Sequence, residues 1–465
     1  MTLQHGPGPP RPVPRTAEIP TAVPPRSTGS RSSGAKPSGG SALVLALVVA
    51  ATLPGVWLQL SGGDPAPAVA AAIYGFAVVG AAFLVSWAAE VAQLDISAGL
   101  AIGILALIAV LPEYAVSAVF AWQGGEAFQQ YGVACMPPGA SGESPCSLAL
   151  ANMTGANRLL IGIGWTMVVF VAWFRWRRRG QPQNAVRLPR TKSVEVAYLA
   201  IACIYGLTLP LKESVTLIDA LVLVAVFVAY VVRIAKSPSE PPHLVGPAAW
   251  IGAFPRRGRR VAVVALFLVA AAVIILVAEA FAEALVDTGH SLGISEFLLV
   301  QWVAPLASEA PELLVAFMFA WRLRTTEALA TLVSSKVNQW TLLLASLPII
   351  FSVAAGTTSG LPLVGEQRQE LLLTAAQSVF ALALLVNLEL TVREAGLLFG
   401  LFFAQFALGA VIPASAHGLE LVVISIVYLV LAAYYYYRQR GMLFRLVRAG
   451  LKAPYEELAT DAPKK

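Results

Sequence analysis

The stretch ASEAPELLVAFMFAW, residues 307–321, sets Glu309 and Glu312 around Pro311 inside a run apolar enough to cross a bilayer. A second Pro-Glu pair, Pro112-Glu113, sits in another such run. Carboxylates offer hard anionic oxygens, the ligands that Na⁺ and Ca²⁺ take. Proline lacks an N–H and clashes with the carbonyl four residues earlier, so Pro112 frees the C=O of Ile108 and Pro311 that of Ala307. Freed carbonyls are tolerable in a membrane only where they line a polar cavity or meet an ion. A charge at the bilayer centre costs at least ~2.5 kcal/mol on insertion scales, which makes each intramembrane glutamate a functional candidate. Glu309 shares a helical face with Glu312, three residues on. It can serve as a third ligand, a proton carrier or a partner for a nearby cation.

The elements that position these groups are membrane helices. The 465 residues are 57% apolar and 12% charged, with a mean hydropathy of +0.72, against roughly 25% charged in an ordinary soluble protein. The net charge of +6 does not point to nucleic acid, because the basic residues stand in short blocks between apolar runs. Residues 1–41, rich in Pro, Gly, Ser and Arg, have almost nothing to bury and are expected to be a disordered tail. The first apolar run starts too late for a typical secretory signal and reads as an anchor, although APAVAAA after it faintly resembles a cleavage site.

At about 20 apolar residues per crossing, the chain divides into twelve spans, each boundary loose by several residues. The first six are 42–60, 67–92, 96–122, 147–174, 194–211 and 215–234; the others are 261–285, 296–321, 326–354, 368–390, 394–413 and 418–437. The weakest divisions are those at LKES and TVRE. Basic blocks follow the fourth span (Arg175 to Lys192), the sixth (Arg233 to Arg260), the eighth (Arg322, Arg324) and the twelfth (Arg438 to Lys452). All lie on the side of the basic N-terminal tail, which puts both termini in the cytoplasm of a multi-pass protein of the cell membrane. The loop between spans three and four then faces outward, where Cys135 and Cys146 can pair or remain two free thiols.

Laying PEYAVSAVFAW (112–122) under PELLVAFMFAW (311–321) gives a constant offset of 199 and agreement at six of eleven positions. The similarity continues upstream, and downstream LALANMTGANRLL can be laid on ALATLVSSKVNQW, pairing Thr154 with Ser335 and Asn157 with Asn338. The paired helices are the third and eighth, which cross in opposite directions. A duplicated sequence with reversed orientation is the mark of an inverted-repeat transporter, whose site lies near the midplane between the repeats.

These residues resemble the calcium/cation antiporter superfamily, the sodium/calcium exchanger group. That family carries two inverted alpha repeats, each reading roughly Gly-Thr-Ser-Leu-Pro-Glu, then Gly-Asn-x-x-Gly-Ser-Asn on the next helix. Here the second repeat reads ASEAPE then LVSSKVNQ, and the first AVLPE then LANMTGAN. The resemblance implies an all-α polytopic membrane protein of about twelve helices, with an inverted five-plus-five core and one extra helix at each end. The first repeat then spans 67–235 (alpha-1 region about 96–160) and the second 261–414 (alpha-2 region about 294–342). Around them lie the extra helices within 42–66 and 415–438, a cytoplasmic loop at 236–260 and a cytoplasmic tail at 439–465. By position, Glu113 and Glu312 match the family's ion-binding glutamates, Ser308 matches its Thr, and Glu309 stands where Ser is usual. Thr154, Asn157, Ser335 and Asn338 are further candidates.

The chain departs from that pattern in two ways. Ala109 and Val110 stand where the family has hydroxyls, and Arg158 and Lys336 sit on the helices that should complete the site. If both cations face it, three carboxylates meet two positive charges, which favours a monovalent ion or proton coupling. The implied activity is secondary antiport of Ca²⁺ or another cation against Na⁺ or H⁺, needing only lipid and the transported cations and no cofactor. The alternatives are a Na⁺/H⁺ exchanger and a degenerate ion sensor. An enzyme is disfavoured, since there is no HExxH or Walker A pattern and the four His lie in the tail, in loops or near span ends. Glu279 and Glu283 on the seventh span either line an ion path or mark its outer end.

Overall fold

The computed structural model describes residues 39–95, 111–139, 143–237, 244–363, 366–412 and 416–460. The expected disordered tail up to residue 38, the first part of the third span (96–110) and Ile108 therefore lie outside the described residues. The elements run α1 (Gly39–Ser61), α2 (Pro67–Ala92), α3 (Leu111–Tyr131), α4 (Pro145–Leu159), α5 (Thr166–Arg178), β1 (Ala185–Arg187) and α6 (Ser193–Gly206). Next come β2 (Ser214–Val215), α7 (Leu217–Ile234), α8 (Gly246–Gly252), α9 (Arg256–Leu292), α10 (Glu296–Trp321), α11 (Thr325–Asn338), α12 (Leu344–Ala355) and β3 (Leu361–Pro362). The chain closes with α13 (Gln367–Leu384), β4 (Glu389–Thr391), α14 (Val392–Val411), α15 (His417–Lys452) and α16 (Tyr455–Thr460).

Eleven helices among the described residues are long and apolar enough to cross a membrane. They coincide with eleven of the twelve expected spans; the third is represented by α3. Large apolar side chains point outward along them, among them Leu47, Trp57, Ile275 and Val411. A soluble surface would not carry such a band; a lipid-facing one must. Helices α9 and α15, of 37 and 36 residues, exceed the ~20 needed to cross and project past the core on the side of the basic loops.

The two uncertain divisions are built alike. After LKE, Ser214–Val215 form β2, then Thr216 caps α7 in a capping box with Asp219. At TVRE, β4 is followed by a capping box of Thr391 with Glu394. In each, the side chains satisfy orphan N–H groups of the first turn, which starts a new helix instead of continuing the old one. Strand β1 pairs with β4 and β2 with β3, both antiparallel. The first ribbon joins two loops on the basic face and the second joins two on the opposite face.

Exchanging the halves carries each ribbon onto the other. Helix packing obeys the same exchange: α2 lies along α9, while α3 on α12 mirrors α10 on α4. The middle helix of each repeat is interrupted by a π turn, Leu160–Trp165 between α4 and α5 and Gln339–Leu343 between α11 and α12. The first begins three residues after Asn157 and the second directly after Asn338. The extra helix α1 packs on α2, and α15 on α13 and α6. Cys135, in the loop after α3, forms a disulfide with Cys146 in the first turn of α4, their Cα atoms 5.9 Å apart.

Candidate functional site

Glu113 lies on α3, whose described residues begin at Leu111; it is 2% exposed, with no donor on either carboxylate oxygen. Pro112 directly precedes it, and the residue four before that proline lies outside the described residues. In α10, Pro305 and Pro311 both stand within a continuous helix. Pro311 leaves the buried Ala307 without its usual donor four residues on. Ser308 spends its hydroxyl hydrogen on its own helix, at 3.2 Å from the oxygen of Ala304 and 3.3 Å from that of Pro305. Its oxygen is left free to accept.

Glu309 is buried; its Oε1 accepts from Nε2 of Gln339 at 2.6 Å, and its Oε2 has no donor. Glu312, one turn further, is half-buried. Helices α3 and α10 bring Glu113 within electrostatic reach of both Glu309 and Glu312.

The helices after each Pro-Glu complete the surroundings. Tyr114, next to Glu113, donates to Oδ1 of Asn338 at 3.2 Å. Asn157 donates to the oxygen of Met153 at 2.9 Å and leaves its Oδ1 unpartnered. Oγ of Ser335 is likewise buried without a partner. Gly155 lets α4 reach α10, since a Cβ there would run into the backbone oxygen of Gln301. Lys336, fully buried, donates from Nζ to the backbone oxygen of Asn157 at 2.6 Å, within reach of Glu309 and Glu113.

Two expected residues turn elsewhere. Arg158 does not face the glutamates: Nη1 meets Oε2 of Glu370 at 2.6 Å, Nη2 bonds Gln405, and the guanidinium lies 5.1 Å from the Trp302 ring centroid. A guanidinium buried to this depth requires a paired carboxylate and satisfied N–H groups, and α13 and α14 supply them where α10 does not. Thr154 belongs to the same network, accepting from Gln301 at 3.4 Å while Gln301 also donates to Glu370 at 2.9 Å. Glu279 and Glu283 are exposed. Glu279 lines, with Trp122, Gln123 and Glu126, an open cleft of about 430 Å³ between α3, α9 and α12.

Four participants escaped the sequence reading: Tyr114, Gln301, Gln339 and Glu90. Gln339 directly follows Asn338, and Glu90 is an ionisable residue inside the second span, so both carried the signal of a polar group in an apolar helix. Glu90 Oε2 is buried without a partner and acts electrostatically on Glu312.

Among the described residues, the buried unpartnered side-chain atoms on α3, α4, α10, α11 and the second π turn are all oxygens, from Glu113, Asn152, Asn157, Glu309, Ser335 and Gln339. Buried polar atoms ordinarily find partners. A cluster rich in acceptors and poor in donors is made for a cation. No three His, Cys, Asp or Glu side chains among the described residues converge to hold a metal by themselves. Any hard cation held here would need neutral amide, hydroxyl or carbonyl oxygens beside the carboxylates.

The chain matches the family described as sodium/calcium exchanger protein over residues 66–236 and 262–410. It is similar to the crystal structure of the H⁺/Ca²⁺ exchanger CAX, at 38% identity and a TM-score of 0.79, covering 90% of this chain and 98% of that one. It shares its fold with native YfkE, at 15% identity and a TM-score of 0.55, over 83% of this chain and 100% of that one. No curated protein sequence matches it.

Proposed function

Because the chain belongs to the sodium/calcium exchanger protein family of transmembrane antiporters, we propose that it exchanges Ca²⁺ for H⁺ by alternating access. The observation that carries this reading is the pair of donor-free carboxylate oxygens on buried Glu113, beside Glu309 and Glu312. A carboxylate whose oxygens receive no donor is costly in a dry interior. The site therefore needs positive charge in every state, either a metal ion or protons on the same oxygens, and that competition is the coupling. Three carboxylates less the Lys336 ammonium leave two negative charges, the charge of one Ca²⁺ or two H⁺. Similarity to the H⁺/Ca²⁺ exchanger CAX supports H⁺ as the counter-ion.

In this reading Glu113, Glu312 and Glu309 supply the site's negative charge, without all three having to meet one ion. Ser308, Ser335, Asn157 and Asn338 and the carbonyl of Ala307 contribute neutral oxygens. The protein sits in the cytoplasmic membrane with its basic loops and both termini in the cytoplasm, which the positive-inside distribution supports.

The test is flux in proteoliposomes with H⁺, Na⁺, K⁺ and Ca²⁺ gradients imposed one at a time. A pH gradient is expected to drive Ca²⁺ uptake, and Glu113→Gln and Glu312→Gln each to abolish it while the protein still inserts. Wild-type flux in both variants would remove the site assignment; uptake driven by Na⁺ alone would replace the counter-ion.

A further inference from the structure

The chain brings a cation of its own to the site. Lys336 is wholly buried on α11, between Ser335 and the residues that lead to Asn338. Its ammonium donates to the backbone oxygen of Asn157 on α4 and lies 5.9 Å from the ring centroid of Trp340. Cys203 on α6, Glu309 on α10 and Glu113 on α3 act on it electrostatically. A carbonyl oxygen in contact, an aromatic ring and two carboxylates further off, drawn from both repeats, suit a monovalent cation. The other candidate positive charge, Arg158, is committed to Glu370 and leaves this position to Lys336 alone of the two.

An ammonium offers only donors, so it consumes the same acceptor oxygens that Na⁺ would. We propose that Lys336 is a tethered cation: its ammonium fills, at the junction of the repeats, the place a co-transported Na⁺ would take. It is thus a specificity-determining residue that makes the exchange independent of Na⁺. Without it, three carboxylates would leave room for one further monovalent ion beside the divalent one. This inference rests on the exchanger reading above and adds to it why the counter-ion is not Na⁺.

The experiment is ⁴⁵Ca²⁺ binding to the full chain purified in detergent, at fixed pH, with NaCl titrated against choline chloride. In the wild type, Na⁺ is expected to have no effect beyond that of choline. In Lys336→Gln and Lys336→Met, Na⁺ is expected to compete, becoming at least about tenfold more effective at displacing Ca²⁺. Folded variants as indifferent to Na⁺ as the wild type would overturn the proposal, and so would variants that fold but bind no Ca²⁺. The wild-type arm decides alone if neither variant folds: indifference to Na⁺ supports the proposal, and cooperative displacement of Ca²⁺ by Na⁺ overturns it. A Glu113→Gln control separates the two readings, because Ca²⁺ binding retained there would sink the site itself whatever the lysine does.

Discussion

Gln339 donates to Glu309 at 2.6 Å and so ties the second π turn to the helix that carries the second Pro-Glu. A π turn widens the helix by one residue and redirects the side chains that follow it, and such turns are frequent at functional sites. Here the residue that opens the turn is the one that orients a buried carboxylate. Gln339→Leu keeps the volume and removes the donor. Outer partners of metal ligands are typically worth about 10–100-fold in metal affinity, and a loss of Ca²⁺ affinity in that range is expected by direct binding. Unchanged affinity would mean that Glu309 is not a ligand.

Glu90 on α2 extends the acidic array, acting on half-buried Glu312. Its place near the end of α2 on the basic face puts it between that face and the central glutamates. Glu90→Gln is expected to raise the Ca²⁺ concentration needed for half-maximal flux from the basic side by a few-fold to about tenfold, with the saturating rate little changed. Side-specific initial rates in oriented vesicles check this, and an effect confined to the opposite side would refute it.

The Arg158–Glu370 pair ties α4 to α13. Truncating one partner of a buried pair costs about 3–5 kcal/mol, because the other charge is left uncompensated. Arg158→Gln is therefore expected to lower thermal stability strongly, and Arg158→Gln with Glu370→Gln to recover most of the loss. Neither should alter which ions compete with Ca²⁺. A changed ion preference in the double variant would return Arg158 to the site.

Asp95, beyond the end of α2, receives Arg259 at 2.7 Å, Arg256 at 3.2 Å and Arg260 at 3.4 Å. The Arg259 hydrogen bond, ahead of the other guanidinium contacts, holds its carboxyl well below the usual carboxylate range against the opposing effect of burial. A depressed folded-state value stabilises above the unfolded-state value of about 3.9 and loses that contribution as pH falls below it. Asp95→Asn is expected to cost about 1 kcal/mol at neutral pH, and the gap to the wild type should close as pH falls below about 4. A gap independent of pH would show that the aspartate acts through packing instead of charge.

Much of this protein was legible in its residues. Hydropathy located the crossings, and PEYAVSAVFAW against PELLVAFMFAW disclosed the inverted duplication. Each depends on local composition or on self-similarity along the chain, and an apolar solvent enforces both without reference to distant partners. The destination of each charged side chain was not legible. Arg158 and Lys336 occupy similar helices one position past Asn157 and two before Asn338. One finds Glu370, 212 residues away, and the other the oxygen of Asn157, 179 residues away. Pairing in a medium that solvates no charge is decided by whichever neighbour the helix packing brings within reach, and only the folded bundle settles that.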